Sequence, residues 1–245
     1  MIHRARAVAA LTAIALVLTG GSANAANRAP LRVLFVGNSL TYVNDLPAVV
    51  AGLGAASKLP DVEYRMLAPG GWSIEDHWTI GDAPQVLASG RWDAVVLQQG
   101  PSALPESQVN LRTWATRAAD DARKHGARPA LYQVWPERYR FAVFPDVLAS
   151  YRNAARASRS ELFPAGDAWR AAWRRDPKLQ LYGSNGFHPS RLGTYLAALV
   201  IYAGLVKASP IGLPRVVPMP DGRYAVPAAR ARLLQRAAAE ALRRR

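Results

Sequence analysis

The stretch Leu31-Arg-Val-Leu-Phe-Val-Gly-Asn-Ser-Leu-Thr41 decides the architecture. Its first seven residues form an almost continuously apolar run that ends in glycine, as expected for a central parallel strand covered on both faces. Runs of similar character recur at Val62 to Leu67, Trp92 to Gln98, Ala130 to Val134 and Glu161 to Ala165. Helical stretches separate them. Asp45 caps a helix that tolerates Pro47 in its first turn and continues to about Lys58. A short helical stretch follows Pro69-Gly70-Gly71 and ends near Ser89. Between Glu106 and His125 the apolar spacing runs through Val109, Leu111, Trp114 and Ala118, and Gly126 stands where a left-handed stop belongs. Further helices are predicted over Pro145 to about Ser158 and over Pro189 to about Lys207. In the last segment, 210–245, a proline-rich stretch from Pro210 to Pro220 leads to an alanine-rich helix from about Pro227, with Leu233, Leu234 and Leu242 available to pack back on the body.

Strands that alternate with helices of this length imply right-handed crossovers and a parallel sheet. The expected class is therefore α/β, a three-layer α/β/α sandwich on a five-stranded parallel sheet of flavodoxin-like order 2-1-3-4-5. No internal repeat or second domain is visible, so residues 26–245 read as a single domain.

Composition narrows the chemistry. The chain has 245 residues, half of them apolar and 20% charged, which excludes a disordered or collagen-like protein. With no cysteine, disulfide scaffolds, iron–sulfur clusters and thiolate zinc sites are excluded as well. Arg4 and Arg6 precede an apolar run, Val8 to Leu18, too short to span a bilayer, and Ala23-Asn24-Ala25 follows it. Residues 1–25 thus read as a secretory signal cleaved after Ala25, and the mature protein is expected to be secreted or periplasmic, with no membrane-spanning segment. The formal charge of +14 invites a nucleic-acid reading, but only four of the 31 basic residues are lysines and the arginines are spread over every segment. An exported protein meets little nucleic acid, so none is expected as a partner; an anionic cell-surface polymer is the partner the charge allows.

In parallel sheets of this kind ligands bind beyond the carboxyl ends of the strands. After strand one, Gly37-Asn38-Ser39 places a hydroxyl at the rim with its own N–H pointing outward, although a serine there also serves as an ordinary cap. After strand two, Gly70 or Gly71 lets a backbone N–H approach a ligand unobstructed. After strand three, Gln98 and Gln99 deliver side-chain amides into a glycine–proline turn, where one of them can bind an oxyanion. Before the last core helix stands Asn185-Gly186-Phe187-His188-Pro189-Ser190. Of the four histidines, His3 falls in the signal and His125 ends a helix. His77 lies where it can line the site, and His188 is the best base for Ser39.

These blocks, spanning roughly Leu31 to Leu205, resemble those of the GDSL/SGNH hydrolases, serine esterases on an α/β sandwich. Gly37-Asn38-Ser39-Leu40 matches the first motif with asparagine for aspartate. The resemblance implies a catalytic pair of Ser39 and His188 and an oxyanion hole formed by Ser39, Gly71 (Gly70 as runner-up) and Gln99 (Gln98 less favoured). It also exposes a departure, because Asn185 stands where the family carries the aspartate that partners the histidine. An amide supplies no charge to an imidazolium. A Ser39–His188 dyad steadied by Asn185, a carboxylate from elsewhere, or deamidation of the Asn185-Gly186 step would each compensate.

The implied activity is hydrolysis of carboxylic acyl esters without metal or other cofactor, O-acetyl groups on a glycan foremost, with Trp72 and His77 binding substrate. Trp78 and Trp135, also near strand ends, offer further flat faces for sugars. A general small-ester or lipid esterase, or a glycan-binding protein weakened by Asn185, are the alternatives.

Overall fold

The structure, a computed structural model, describes residues 29–243. The predicted signal, 1–25, lies outside them. Five parallel strands form one sheet, β1 (Leu31–Val36), β2 (Val62–Leu67), β3 (Ala94–Leu97), β4 (Arg128–Tyr132) and β5 (Glu161–Phe163), in the order β2-β1-β3-β4-β5. This is the predicted flavodoxin-like order. Val36 lies in register with Leu67 on one side and Leu97 on the other, so the turns that follow β1, β2 and β3 leave the sheet at one level. Strand order reverses at β1, which makes that rim the natural place for a ligand.

Helices cover the sheet. The turn after β1 continues through α1 (Ser39–Tyr42) and a 3₁₀ turn into α2 (Leu46–Ala55), which packs against α8 (Arg191–Val206). A second group is formed by α3 (Ile74–Thr79), α4 (Ala83–Ser89), α5 (Pro105–Lys124) and α6 (Phe144–Ala157), in which α5 packs on α3 and α6. The last four residues of β1 and nearly all of α8 are buried, as the continuous apolar runs require.

Three segments differ from expectation. Ala165–Arg175 forms a helix, α7, where only the end of a strand was predicted. Its inner face is built from Ala168, Trp169, Ala171 and Ala172, and Asp167 in the first turn with Arg174 and Arg175 in the last complement its dipole. The proline-rich stretch contains an antiparallel hairpin, β6 (Val216–Met219) and β7 (Gly222–Ala225), turning at Gly222 with φ +122°. It lies so close to α2 that a Cβ on Gly52 would stand 2.4 Å from the Pro218 carbonyl. Finally, α8 begins at Arg191, because the Ser190 hydroxyl caps it and Pro189 forms a bridge with Tyr182. His188 therefore sits in a loop outside the helix. The terminal helix, α9 (Ala228–Arg243), packs on α7 and α8, with Leu234 buried and Leu233 and Leu242 against the core.

Candidate active site

The turn that carries Ser39 is held from below. Asn38 caps α1, its Oδ1 accepting from the Leu40 N–H. Gln98, leaving the end of β3 fully buried, accepts at Oε1 from the Asn38 N–H (2.9 Å) and the Thr41 hydroxyl (2.8 Å) and donates from Nε2 to Asn38 Oδ1 (3.0 Å) and the Gln99 carbonyl (2.6 Å). Every polar atom of its amide is occupied, so Gln98 is a clamp and has no group to offer a ligand. The same crowding explains Gly37: a Cβ there would lie 2.3 Å from Thr41 Oγ1 and 2.5 Å from Gln98 Oε1. The turn after β2 joins this cluster through Asn38 Nδ2, which donates to the Trp72 carbonyl (2.9 Å).

A cavity of about 460 Å³ opens above this cluster, lined by Ser39, Gly71, Trp72, Gln99, Arg140 and Phe187 among others. Ser39 is half-buried at its wall. As the first residue of α1 it has a backbone N–H with no helical acceptor, and neither this N–H nor that of Gly71 bonds to any acceptor among the described residues. Gly71 adopts φ +79°, a conformation that favours glycine, and of the two adjacent glycines it is the one that lines the cavity. Gln99 also reaches the wall, but its amide is engaged: Oε1 accepts from the Ile74 N–H (3.3 Å), and Nε2 donates to Ser102 Oγ (3.0 Å) and, at 3.4 Å, to Asn110 Oδ1.

The aromatic and histidine expectations separate. Trp72 lines the cavity as anticipated. His77 does not: it is 1% exposed, lies edge-on beneath Trp72 with ring centroids 5.1 Å apart, and donates from Nε2 to the Gly37 carbonyl (2.7 Å). It therefore supports the Ser39 turn from below and does not line the cavity, and burial holds its pKa below the usual value, offset in part by the bond to Gly37. Trp135 is buried and stacks on Trp169, Trp78 is half-buried and donates to Asp121, and neither lines the cavity. Sequence spacing could not reveal this, since strand-end tryptophans serve core and surface equally well.

The His188 loop approaches from the other end of the chain. Trp135 Nε1 donates to the Phe187 carbonyl (3.1 Å), the Arg138 N–H to the Gly186 carbonyl (2.7 Å), and Asn44 Nδ2 to both the Pro189 carbonyl and Thr194 Oγ1 (2.9 Å each). Asn44, at φ 57° and five residues beyond Ser39, thus ties the Ser39 segment to the His188 loop. Its role was not evident in the sequence, where only the turn preference of asparagine hinted at it.

Asn185 lies beside the His188 ring, Nδ2 to Nδ1 2.5 Å. Its Oδ1 accepts from the Phe187 N–H (3.1 Å) and the His188 N–H (3.0 Å), which fixes the amide so that its NH₂ faces the ring. An NH₂ can only donate, so Nδ1 accepts and the neutral ring carries its proton on Nε2. An aspartate would impose the opposite tautomer. His188 Nε2 is shielded from solvent and has no hydrogen-bond partner among the described residues, so no bond to Ser39 is closed. No described carboxylate replaces Asn185 at Nδ1: Glu137, on the cavity wall, pairs with Arg140 at 3.3 Å. Among the described residues no cluster of three or more histidine or acidic side chains is placed to hold a metal ion.

No family profile and no curated protein matches the sequence. Solved structures do. A Slackia heliotrinireducens protein assigned to the SGNH hydrolases shares 27% identity over 72% of this chain and all of its own, with a TM-score of 0.62. A DUF4886 family protein from Bacteroides uniformis covers 87% of this chain and 95% of its own at 19% identity and TM-score 0.67. The lipase/acylhydrolase from Enterococcus faecalis covers 72% and 96% at 16% identity and TM-score 0.59. The last two share the fold; the first adds sequence likeness over nearly three quarters of this chain. With the β1, β2 and β3 turns meeting at one cavity and the Asn185–His188 loop tied to them through Asn44, the chain has the fold of the GDSL/SGNH hydrolases, and the structures it is similar to support that family.

Proposed function

We propose that the protein is a serine esterase that removes small acyl groups, acetyl above all, from a glycan outside the cytoplasm. The observation that carries this reading is the pair of unpartnered backbone N–H groups, at Ser39 and Gly71, on the wall of the cavity that also holds the Ser39 side chain. Two such donors suit the oxyanion of an acyl-transfer intermediate. Ser39 Oγ attacks the ester carbonyl while His188 Nε2 takes its proton, and the N–H groups of Ser39 and Gly71 bind the oxyanion, joined by Gln99 once its weak bond to Asn110 is released. His188 then protonates the departing alcohol, and water releases the acid from the acyl-enzyme. Proton acceptance at Nε2 requires the ring to move its proton to Nδ1, so Asn185 makes the uncharged dyad a slow catalyst.

Substrate preference follows from the lining. Ser73, Ser102, Ser107 and Asn110 surround Trp72 and Phe187, a polar wall around flat rings that fits sugar hydroxyls and faces better than a long acyl chain. Hydrolysis of 4-nitrophenyl esters of increasing chain length tests this: acetate should be preferred, and equal turnover of long chains would make the protein a general or lipid esterase. A second reading, glycan binding without turnover, is favoured by the tautomer that Asn185 imposes, and Ser39→Ala separates the two. Loss of hydrolysis in that variant supports the esterase; unchanged hydrolysis removes it.

A further inference from the structure

We propose that Asn185 is a self-modification site, converted by hydrolysis to aspartate with His188 as the proton donor, and that this step completes the catalytic triad. The proposal rests on the esterase reading for its purpose but on separate geometry for its chemistry. Hydrolysis of an amide passes through a tetrahedral adduct that needs donors for its oxyanion and a proton for its amine. Both are present. The N–H groups of Phe187 and His188 hold Oδ1 at 3.1 and 3.0 Å, where they polarise the carbonyl and would bind the oxyanion. His188 Nδ1 stands 2.5 Å from Nδ2, the atom that must leave.

Against a planar amide, a protonated ring is a poor neighbour, because Nδ1–H and the NH₂ are both donors. The tetrahedral adduct reverses this, since its pyramidal amine has a lone pair that accepts the Nδ1 proton. The arrangement therefore favours the adduct over the ground state, which is the condition for catalysis. Asn185 is exposed, so water reaches Cγ. Water adds to Cγ and gives one proton to solvent, the imidazolium gives its proton to Nδ2, the C–N bond breaks and ammonia leaves. The new carboxylic acid returns a proton to the ring, and the ammonia takes up from solvent the proton that the attacking water released, ending as ammonium.

The nucleophile is water because the competing one is restrained: the Gly186 N–H donates to the Gly183 carbonyl at 3.1 Å. Ring closure through that nitrogen would yield a succinimide, and from it a mixture of aspartate and isoaspartate. Attack by water yields aspartate alone. The product carboxylate keeps its two backbone N–H bonds and accepts from Nδ1–H, which leaves Nε2 free to serve Ser39.

The test is peptide mass spectrometry of the folded protein, freshly made and after incubation in ¹⁸O-labelled water near pH 6, in wild type, Ser39→Ala and His188→Ala. The expected result is aspartate at position 185 carrying one solvent oxygen, no isoaspartate, equal conversion in Ser39→Ala, and loss of conversion in His188→Ala. Esterase activity should rise with the converted fraction. Persistence of the amide in wild type overturns the proposal, as does an aspartate–isoaspartate mixture or conversion unaffected by His188→Ala. Conversion in a protein without esterase activity would leave this step standing and remove the function proposed above; activity in protein that stays fully amidated would do the reverse.

Discussion

The Ser39 arm and the His188 arm of this site are built to different standards. Around Ser39, every polar atom of the Gln98 amide is paired, His77 supports the Gly37 carbonyl from below, and Asn38 bonds in three directions. Around His188, the loop backbone is equally well tied, yet the ring meets an amide where a charge belongs and its Nε2 has no partner among the described residues. The contrast teaches that preorganisation and reactivity are separable: on the proposed esterase reading, the rigid half decides whether an ester can be bound in a reactive pose, and the half with one mismatched group decides how fast it reacts.

The comparison can be broken most severely at its shared point. Ser39→Ala should lower hydrolysis of 4-nitrophenyl acetate by about ten-thousand-fold or to background, a barrier change of roughly 5 kcal/mol, with the folded structure retained by circular dichroism. Next comes the mismatch itself. Asn185→Asp should raise kcat over freshly prepared, still amidated protein by about a thousand-fold, roughly 4 kcal/mol, because it reverses the tautomer and stabilises the imidazolium. Steady-state kinetics with little change in KM would show that the gain lies in the transition state.

On the rigid side the effects appear in stability. Gln98→Ala removes four hydrogen bonds and leaves the Asn38 N–H and the Thr41 hydroxyl buried, so the urea midpoint should fall by the equivalent of about 3 kcal/mol. The smallest effect comes from His77. Burial lowers its pKa in the folded state, so the unfolded chain binds a proton first and stability declines as pH falls below about 6.5, the ordinary histidine value. Above that pH the full contribution is present. His77→Gln should flatten this part of the stability–pH curve, and an unchanged slope would show that another group carries it.

Much of this was legible from residue order. The apolar run before Gly37 and its four counterparts announce a parallel sheet, and the order that puts β1 between β2 and β3 brings Ser39, Gly71 and Gln99 to one rim. Helix α7 was hidden because Pro164 and Ala165 read as the end of a strand, and its amphipathic face is made mostly of alanines, which carry little periodic signal. The hairpin β6–β7 was masked by its own prolines, though Asp221-Gly222 is a recognised turn signal. Adjacent glutamines could not be assigned from sequence alone: successive residues leaving a strand point to opposite faces, and only the packed structure shows Gln98 beneath the turn and Gln99 at the cavity wall. His77 lay in the right loop, but burial is a tertiary property and spacing does not report it.

The bond from Asn44 to the Pro189 carbonyl has a consequence for how the protein comes into being. It joins positions 145 residues apart, and the ring it helps to place is followed by the helix that fills the last gap beside α2. Contacts of such separation carry the highest chain-closure entropy and form late in folding. A nascent chain that has delivered Ser39, Gly71 and Gln99 still lacks its base until the segment through α8 has emerged and docked. On the proposed esterase reading, the unfinished polypeptide has no His188 beside Ser39 and so cannot attack esters until that segment has docked.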